Sequence, residues 1–164
     1  MSPKLSIAEY IWHDGEVPTQ KLRCKTRILQ HNAEPTMDYF PEWGYDGSST
    51  YQSEGDNSDL ILKPTFFCKD PIRGGDNYLV LCEVFNSDAK TPHPSNQRAR
   101  LRDLMANGGE KFDPWIGFEQ EYTLFHGVSP LGWPENGYPA PQGPFYCSVG
   151  ADVNYGREIA EEHM

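Results

Sequence analysis

From Leu22 to Ile28, small or apolar residues alternate one by one with basic ones: Leu22, Cys24, Thr26 and Ile28 fall on one side, Arg23, Lys25 and Arg27 on the other. Successive side chains of a strand point to opposite faces, so this order predicts an extended segment with one buried and one wet face. Strand character recurs at 7–12 (IAEYIW), 60–67 (LILKPTFF) and 79–85 (LVLCEVF). The 79–85 run is almost wholly apolar and reads as a central strand. Pro64 predicts an edge or a break in the 60–67 run, because proline has no N–H to give to a neighbouring strand. The first two strands flank a Gly- and Pro-containing connection at 14–20, and antiparallel pairing is their simplest arrangement.

The intervals are less regular. Residues 36–59 are rich in Gly, Ser and Asp without a period, and a loop of that length in a small domain usually carries function. Residues 86–97 (NSDAKTPHPSNQ) are polar with two prolines and make the best candidate for a domain boundary. A helix is expected from a cap at Ser95 or Asn96, with Leu101, Leu104 and Met105 as an i, i+3, i+4 stripe and Gly108 and Gly109 as its end. A further strand is expected at 115–125 (WIGFEQEYTLF). The closing NYGREIAEEHM has the pattern of a helix that begins and is then cut off.

Composition narrows the function classes. Fourteen Pro and fifteen Gly among 164 residues favour turns over long helices, and a 13% aromatic share supports a packed core. A net charge of −10 disfavours binding to nucleic acid or to an anionic membrane. Cys24, Cys68, Cys82 and Cys147 form no CxxC pair and read as buried free thiols of a reducing cytoplasm. No apolar leader and no 18-residue apolar run occurs, so neither a signal peptide nor a membrane span is expected. The five histidines stand at no metal-ligand spacing and read as surface residues. No Gly-rich phosphate loop of a known pattern occurs.

Three places offer chemistry. On a strand, Trp115, Glu119 and Glu121 share one face, and adjacent carboxylates invite a divalent cation with oxygen ligands; a solvated strand face accounts for the same pattern. Trp115 on that face is either a stacking platform for a nucleotide base or a core residue. Asp46, within YDGSS, is either ordinary turn chemistry or a carboxylate among hydroxyls that binds a small cation and takes its proton.

Taken in order, PEWGYDGSSTYQSEGDNSDLIL at 41–62, WIGFEQEYTL at 115–124 and LGWPENGYPAPQGPFYCSVGAD at 131–152 resemble the glutamine synthetase family, the last one its eukaryotic-like type in particular. The resemblance implies an α+β fold: a small β-grasp domain at 1–91, then, from 92 to 164, the start of a catalytic domain of antiparallel sheet and helices. It implies ATP-dependent ligation of ammonium to the γ-carboxylate of L-glutamate through γ-glutamyl phosphate, with Mg²⁺ or Mn²⁺ as cofactor and a cytoplasmic location.

By the same resemblance, Glu119 is a ligand of the metal on the nucleotide side and Glu121 of the metal on the glutamate side. Trp115 lies beside the nucleotide, Asp46 binds and deprotonates ammonium, and Ser49 is its hydroxyl neighbour. The family's active sites lie between subunits of two stacked five-membered rings. Its other metal, glutamate and phosphate ligands follow beyond these 164 residues, so the chain alone is expected to be inactive. The alternative is a non-catalytic paralogue that uses the same fold as an assembly or binding module.

Overall fold

The alternating segments pair into one sheet. A computed structural model describes the chain except residues 1–3, 32 and 120 and the side chain of His31. Five strands, β1 (Lys4–His13), β2 (Leu22–His31), β3 (Trp43–Asp46), β4 (Asp59–Lys69) and β5 (Tyr78–Phe85), lie in the order β2-β1-β5-β4-β3. β1 and β5 run parallel and every other pair is antiparallel, so the sheet is mixed. The apolar β5 is central, as its composition predicts. β4 lies between β5 and the short β3, and its register with β5 shifts between Pro64 and Phe66. β3 pairs only with Asp59–Leu62, so the proline falls where the outer side of β4 is no longer bonded by it. The predicted break is therefore a bulge.

One face of the sheet holds the core: Ala8, Tyr10 and Trp12 of β1, Tyr78, Val80, Cys82 and Val84 of β5, and Leu60 and Leu62 of β4, closed by Phe40 and Tyr45. Tyr10, Tyr78, Leu62 and Val80 are fully buried, each contributing about 1.5–3 kcal/mol of apolar burial. The rings pack edge to face or tilted, with centroids 4.8 Å apart for Phe40–Phe67 and 5.4 Å for Tyr10–Trp43.

β2 reverses the expected sidedness. Tyr10 pairs with Lys25 and Trp12 with Arg23, so the basic residues share the core side, while Leu22 and Ile28 remain exposed on the other. The basic residues tolerate that side because each charge finds a partner. Lys25 Nζ stands 3.7 Å from the Trp43 ring centroid, and Arg27 lies over the same ring at 5.1 Å. Arg23 Nε donates to the buried Asp14 at 2.9 Å. The alkyl stems lie along the aromatic surface while the charges reach its rim.

Helix α1 (Gln97–Ala106) starts where expected: Asn96 Oδ1 accepts from the Ala99 N–H at 3.0 Å. Its anchoring face is not the expected stripe, since Leu101 and Leu104 are exposed and Ala99 is buried. Arg98 and Arg102 instead grip Glu83, a 2% exposed carboxylate of β5. Three of the four cysteines also depart from expectation. All are free, and Cys82 is buried, but Cys24, Cys68 and Cys147 are exposed.

The contacts divide the chain into two units, Met1–Pro114 and Trp115–Met164. The second has a two-stranded ribbon, β6 (Phe125–His126) with β7 (Ser129–Pro130), and the closing helix α2 (Arg157–His163), as its sequence pattern predicts. The expected strand at 115–125 is a correction. Among the described residues of that stretch only Phe125 pairs as a strand, together with His126 against Ser129 and Pro130, and Leu124 O accepts from the Leu131 N–H at 2.7 Å just outside the ribbon.

Candidate functional site

β3 ends at Asp46 and the chain turns at once into a single 3-10 turn, Gly47–Thr50. Asp46 caps that turn. Its Oδ1 accepts from the Ser48 N–H at 2.9 Å and the Ser48 hydroxyl at 2.7 Å. Hydrogen bonds from Ser48 and from Ser58 hold the Asp46 carboxyl below the usual carboxylate range, so the group is exposed and firmly ionised. Ser49, the residue after Ser48, is exposed. Across the β3–β4 ladder Asp46 faces Asp59, also exposed, so two like charges stand opposite each other at the mouth of the turn.

The turn is fixed from below. Gly47 N–H donates to Ser58 O at 2.8 Å, and a Cβ on Gly47 would come within 2.5 Å of Leu60 Cδ1. Gly15, just past β1, donates its N–H to Thr50 O at 2.8 Å. Beneath them lies a buried polar cluster. Gln52 Oε1 accepts from the Tyr45 hydroxyl (2.6 Å) and the Thr50 hydroxyl (2.7 Å), while Nε2 donates to His13 O (3.1 Å) and Ser95 Oγ (2.8 Å). Burial pushes the Tyr45 phenol well up, so it remains a donor. Asp14 completes the support. Burial alone would raise its carboxyl, but the N–H groups of Lys21 and Glu16 and the Arg23 guanidinium outweigh it and hold the group low.

Asp46 and Ser49 therefore belong to one ordered turn, in which the hydroxyl bonded to the Asp46 carboxylate is that of Ser48. Trp115, Glu119 and Glu121 belong to the second unit and do not form the expected shared strand face. Trp115 is 94% exposed and so is not a core residue of its unit, and both glutamates are exposed. Among the described residues no three His, Cys, Asp or Glu gather as a metal set, so the donors present offer at most part of an oxygen shell. Gln52 and Asp59 escaped sequence reasoning, and Ser95 was expected only as a helix cap. Gln52 sits in a polar loop and His93 and Ser95 in an apparent linker, and no local pattern marks a side chain that the fold draws inward, while Asp59 stays exposed and is marked only by its cross-strand partner Asp46. His93 was expected on the surface; it is half-buried, with both ring nitrogens engaged.

A mixed five-stranded sheet that grips its core on one face, with the Asp46 turn at the end of a short edge strand, is a β-grasp domain. Residues 4–87 match the family model described as glutamine synthetase, beta-grasp domain. The chain is 56% identical over 161 residues to a glutamine synthetase of Streptomyces hygroscopicus, covering 96% of this chain and 44% of that protein. It is 51% identical to the glutamine synthetase of Mus musculus (95% and 41%) and 47% identical to a chloroplastic glutamine synthetase of Chlamydomonas reinhardtii (96% and 43%). The chain belongs to the glutamine synthetase family, and it spans less than half the length of these relatives.

Proposed function

We propose that this chain supplies the ammonium-handling turn of a glutamate–ammonia ligase. In this reading ATP phosphorylates the γ-carboxylate of L-glutamate, ammonia attacks the acyl carbon, and phosphate leaves as the amide forms. Asp46 binds the ammonium ion and takes the proton it sheds, with the Ser49 hydroxyl beside it. The observation that carries the reading is the Asp46 carboxylate, exposed, ionised and opposed by Asp59, in a chain of this family. A cation at that place relieves the repulsion between the two carboxylates. The hydrogen bonds that keep Asp46 ionised make it a cation binder first and a base second, so proton acceptance has to be coupled to attack.

Glu119 and Glu121 contribute oxygen ligands for Mg²⁺ or Mn²⁺, and Trp115 lies beside the ATP, once further residues complete the set. The metal, when bound, screens the phosphate charge against the incoming nucleophile. The domain boundary belongs near residue 91, ahead of α1, and the assembly is a homo-oligomer of two stacked five-membered rings with this turn facing a neighbouring subunit. The location is cytoplasmic; among the described residues no helix is long and apolar enough to cross a membrane.

The test is steady-state glutamine formation by the complete enzyme carrying Asp46→Asn. The expected outcome is a large rise in the KM for ammonium and a fall in turnover, with the KM for ATP little changed. An unaltered ammonium KM refutes the assignment. ATP-dependent glutamine formation by these 164 residues alone would refute the reading that they are incomplete as a catalyst.

A further inference from the structure

The polar cluster under the turn reaches further than a local brace needs to. Gln52 is 6% exposed, and its side chain makes all four of the hydrogen bonds a carboxamide offers. Its orientation is unambiguous, because His13 O can only accept and so must face the amide nitrogen. Two of the four bonds go up into the turn, to Tyr45 and Thr50. The other two leave it, to the end of β1 and to Ser95. The main chain of Gln52 is tied in the same two directions: its N–H donates to Gly47 O at 2.9 Å, and its C=O accepts from His93 Nε2 at 2.6 Å.

His93 and Ser95 form the bend just before α1. The Ser95 N–H donates to His93 Nδ1 at 3.1 Å, and the Ser95 hydroxyl, which accepts from Gln52, lies 2.8 Å from the same nitrogen. Nδ1 is therefore the acceptor and Nε2 carries the proton that goes to Gln52 O, which fixes a neutral Nε2–H imidazole. Gln20 Nε2 adds a bond to Ser95 O at 2.8 Å, and Asn96 Nδ2 donates to Val84 O at 2.9 Å. The bend is thus held to β5 on one side and to the turn, through one residue, on the other.

We propose that Gln52 is a positioning residue for Asp46: it locks the Asp46–Ser49 turn to the His93–Ser95 bend, so that the segment leading into α1 sets where the ammonium-binding carboxylate stands. Gln52 touches no reactant and acts only through the turn. The inference rests on the reading of Asp46 as the ammonium site, and it adds a residue and a coupling that the reading itself does not require.

Three variants of the complete enzyme test it: Gln52→Ala, the milder Ser95→Ala, which removes the Gln52 side-chain bond to the bend and the hydroxyl contact with His93 but leaves the His93–Gln52 C=O bond in place, and Asp46→Asn as reference. Ser95→Ala is expected to raise the KM for ammonium about fivefold while the KM values for ATP and glutamate stay within about twofold, and Gln52→Ala to exceed it. Amide exchange at Gln52 should quicken about fivefold in Ser95→Ala. A rise in ammonium KM in Asp46→Asn with no selective change in either other variant overturns the coupling and leaves the function standing. An unchanged ammonium KM in Asp46→Asn overturns the function and the coupling with it.

Discussion

Gly15→Ala is the smallest change that should disturb both stability and the candidate site. A Cβ at this position would stand 2.1 Å from the carbonyl oxygen of Tyr51, 2.8 Å from its carbonyl carbon and 3.0 Å from Gln52 Cγ. The first two are backbone atoms, so no rotamer relieves the clash. Even a tight 3.0 Å contact requires β1 and the turn to separate by about 0.9 Å. That separation stretches the Gly15–Thr50 bond from 2.8 Å to about 3.7 Å, beyond hydrogen-bond range. Overpacking costs about 1–3 kcal/mol and the lost bond about 1 more, giving a destabilisation of about 3 kcal/mol and a fall in melting midpoint of roughly 10–15 °C. Thermal and urea unfolding followed by circular dichroism measure it. Gly44→Ala is the internal control, because its Cβ would meet nothing closer than 3.9 Å, and its midpoint should barely move. If Gly15→Ala melts within about 2 °C of the parent and leaves exchange at Gln52 unchanged, the close approach of strand and turn is not what holds the site.

Other perturbations follow from the same geometry. Asp14→Asn sets an amide against the Arg23 guanidinium. Because the Asp14 carboxyl is held low in the folded chain, its contribution is complete above the ordinary carboxylate range, near pH 4, and is lost as the pH falls through the folded value. Urea unfolding should therefore show the variant weaker at pH 7, with the gap closing at strongly acid pH. Glu83→Ala frees α1 from β5; its arginines are about half exposed and can turn to water, so the cost is about 2 kcal/mol, read as faster amide exchange confined to Gln97–Ala106. A thiol reagent should add readily to the exposed Cys68 and Cys147 and more slowly to Cys24, whose thiol the hydrogen bond to Glu9 pushes up, while Cys82 reacts only on unfolding, since burial pushes its thiol up to about 12; intact mass counts the adducts.

What was legible in the sequence was local. Period-two alternation placed β2, an almost wholly apolar run placed β5, strand-type composition placed β1 and β4, a cap at Ser95 or Asn96 placed α1, and the three long motifs pointed to the family. Two local readings failed for a shared reason. The 115–125 segment has strand composition, but a strand exists only beside another strand, and among the described residues of that segment only Phe125 pairs with one. β2 has the right period but the opposite sidedness, because the Trp43 ring and the Asp14 carboxylate, both distant in sequence from Lys25 and Arg27 or folded back onto Arg23, receive the positive charges on the core side.

The chain's order of residues thus determined where strands and the helix begin, and which carboxylate stands in the Asp-Gly-Ser-Ser turn. Only the tertiary structure decided what that turn rests on. Gln52 is one polar residue among many in a 24-residue loop until β1 supplies His13 O and the bend before α1 supplies Ser95, 43 positions away. Hydrogen bonds of that range depend on how strands are ordered in the sheet, and strand order is a property of the packed core rather than of any short run of sequence.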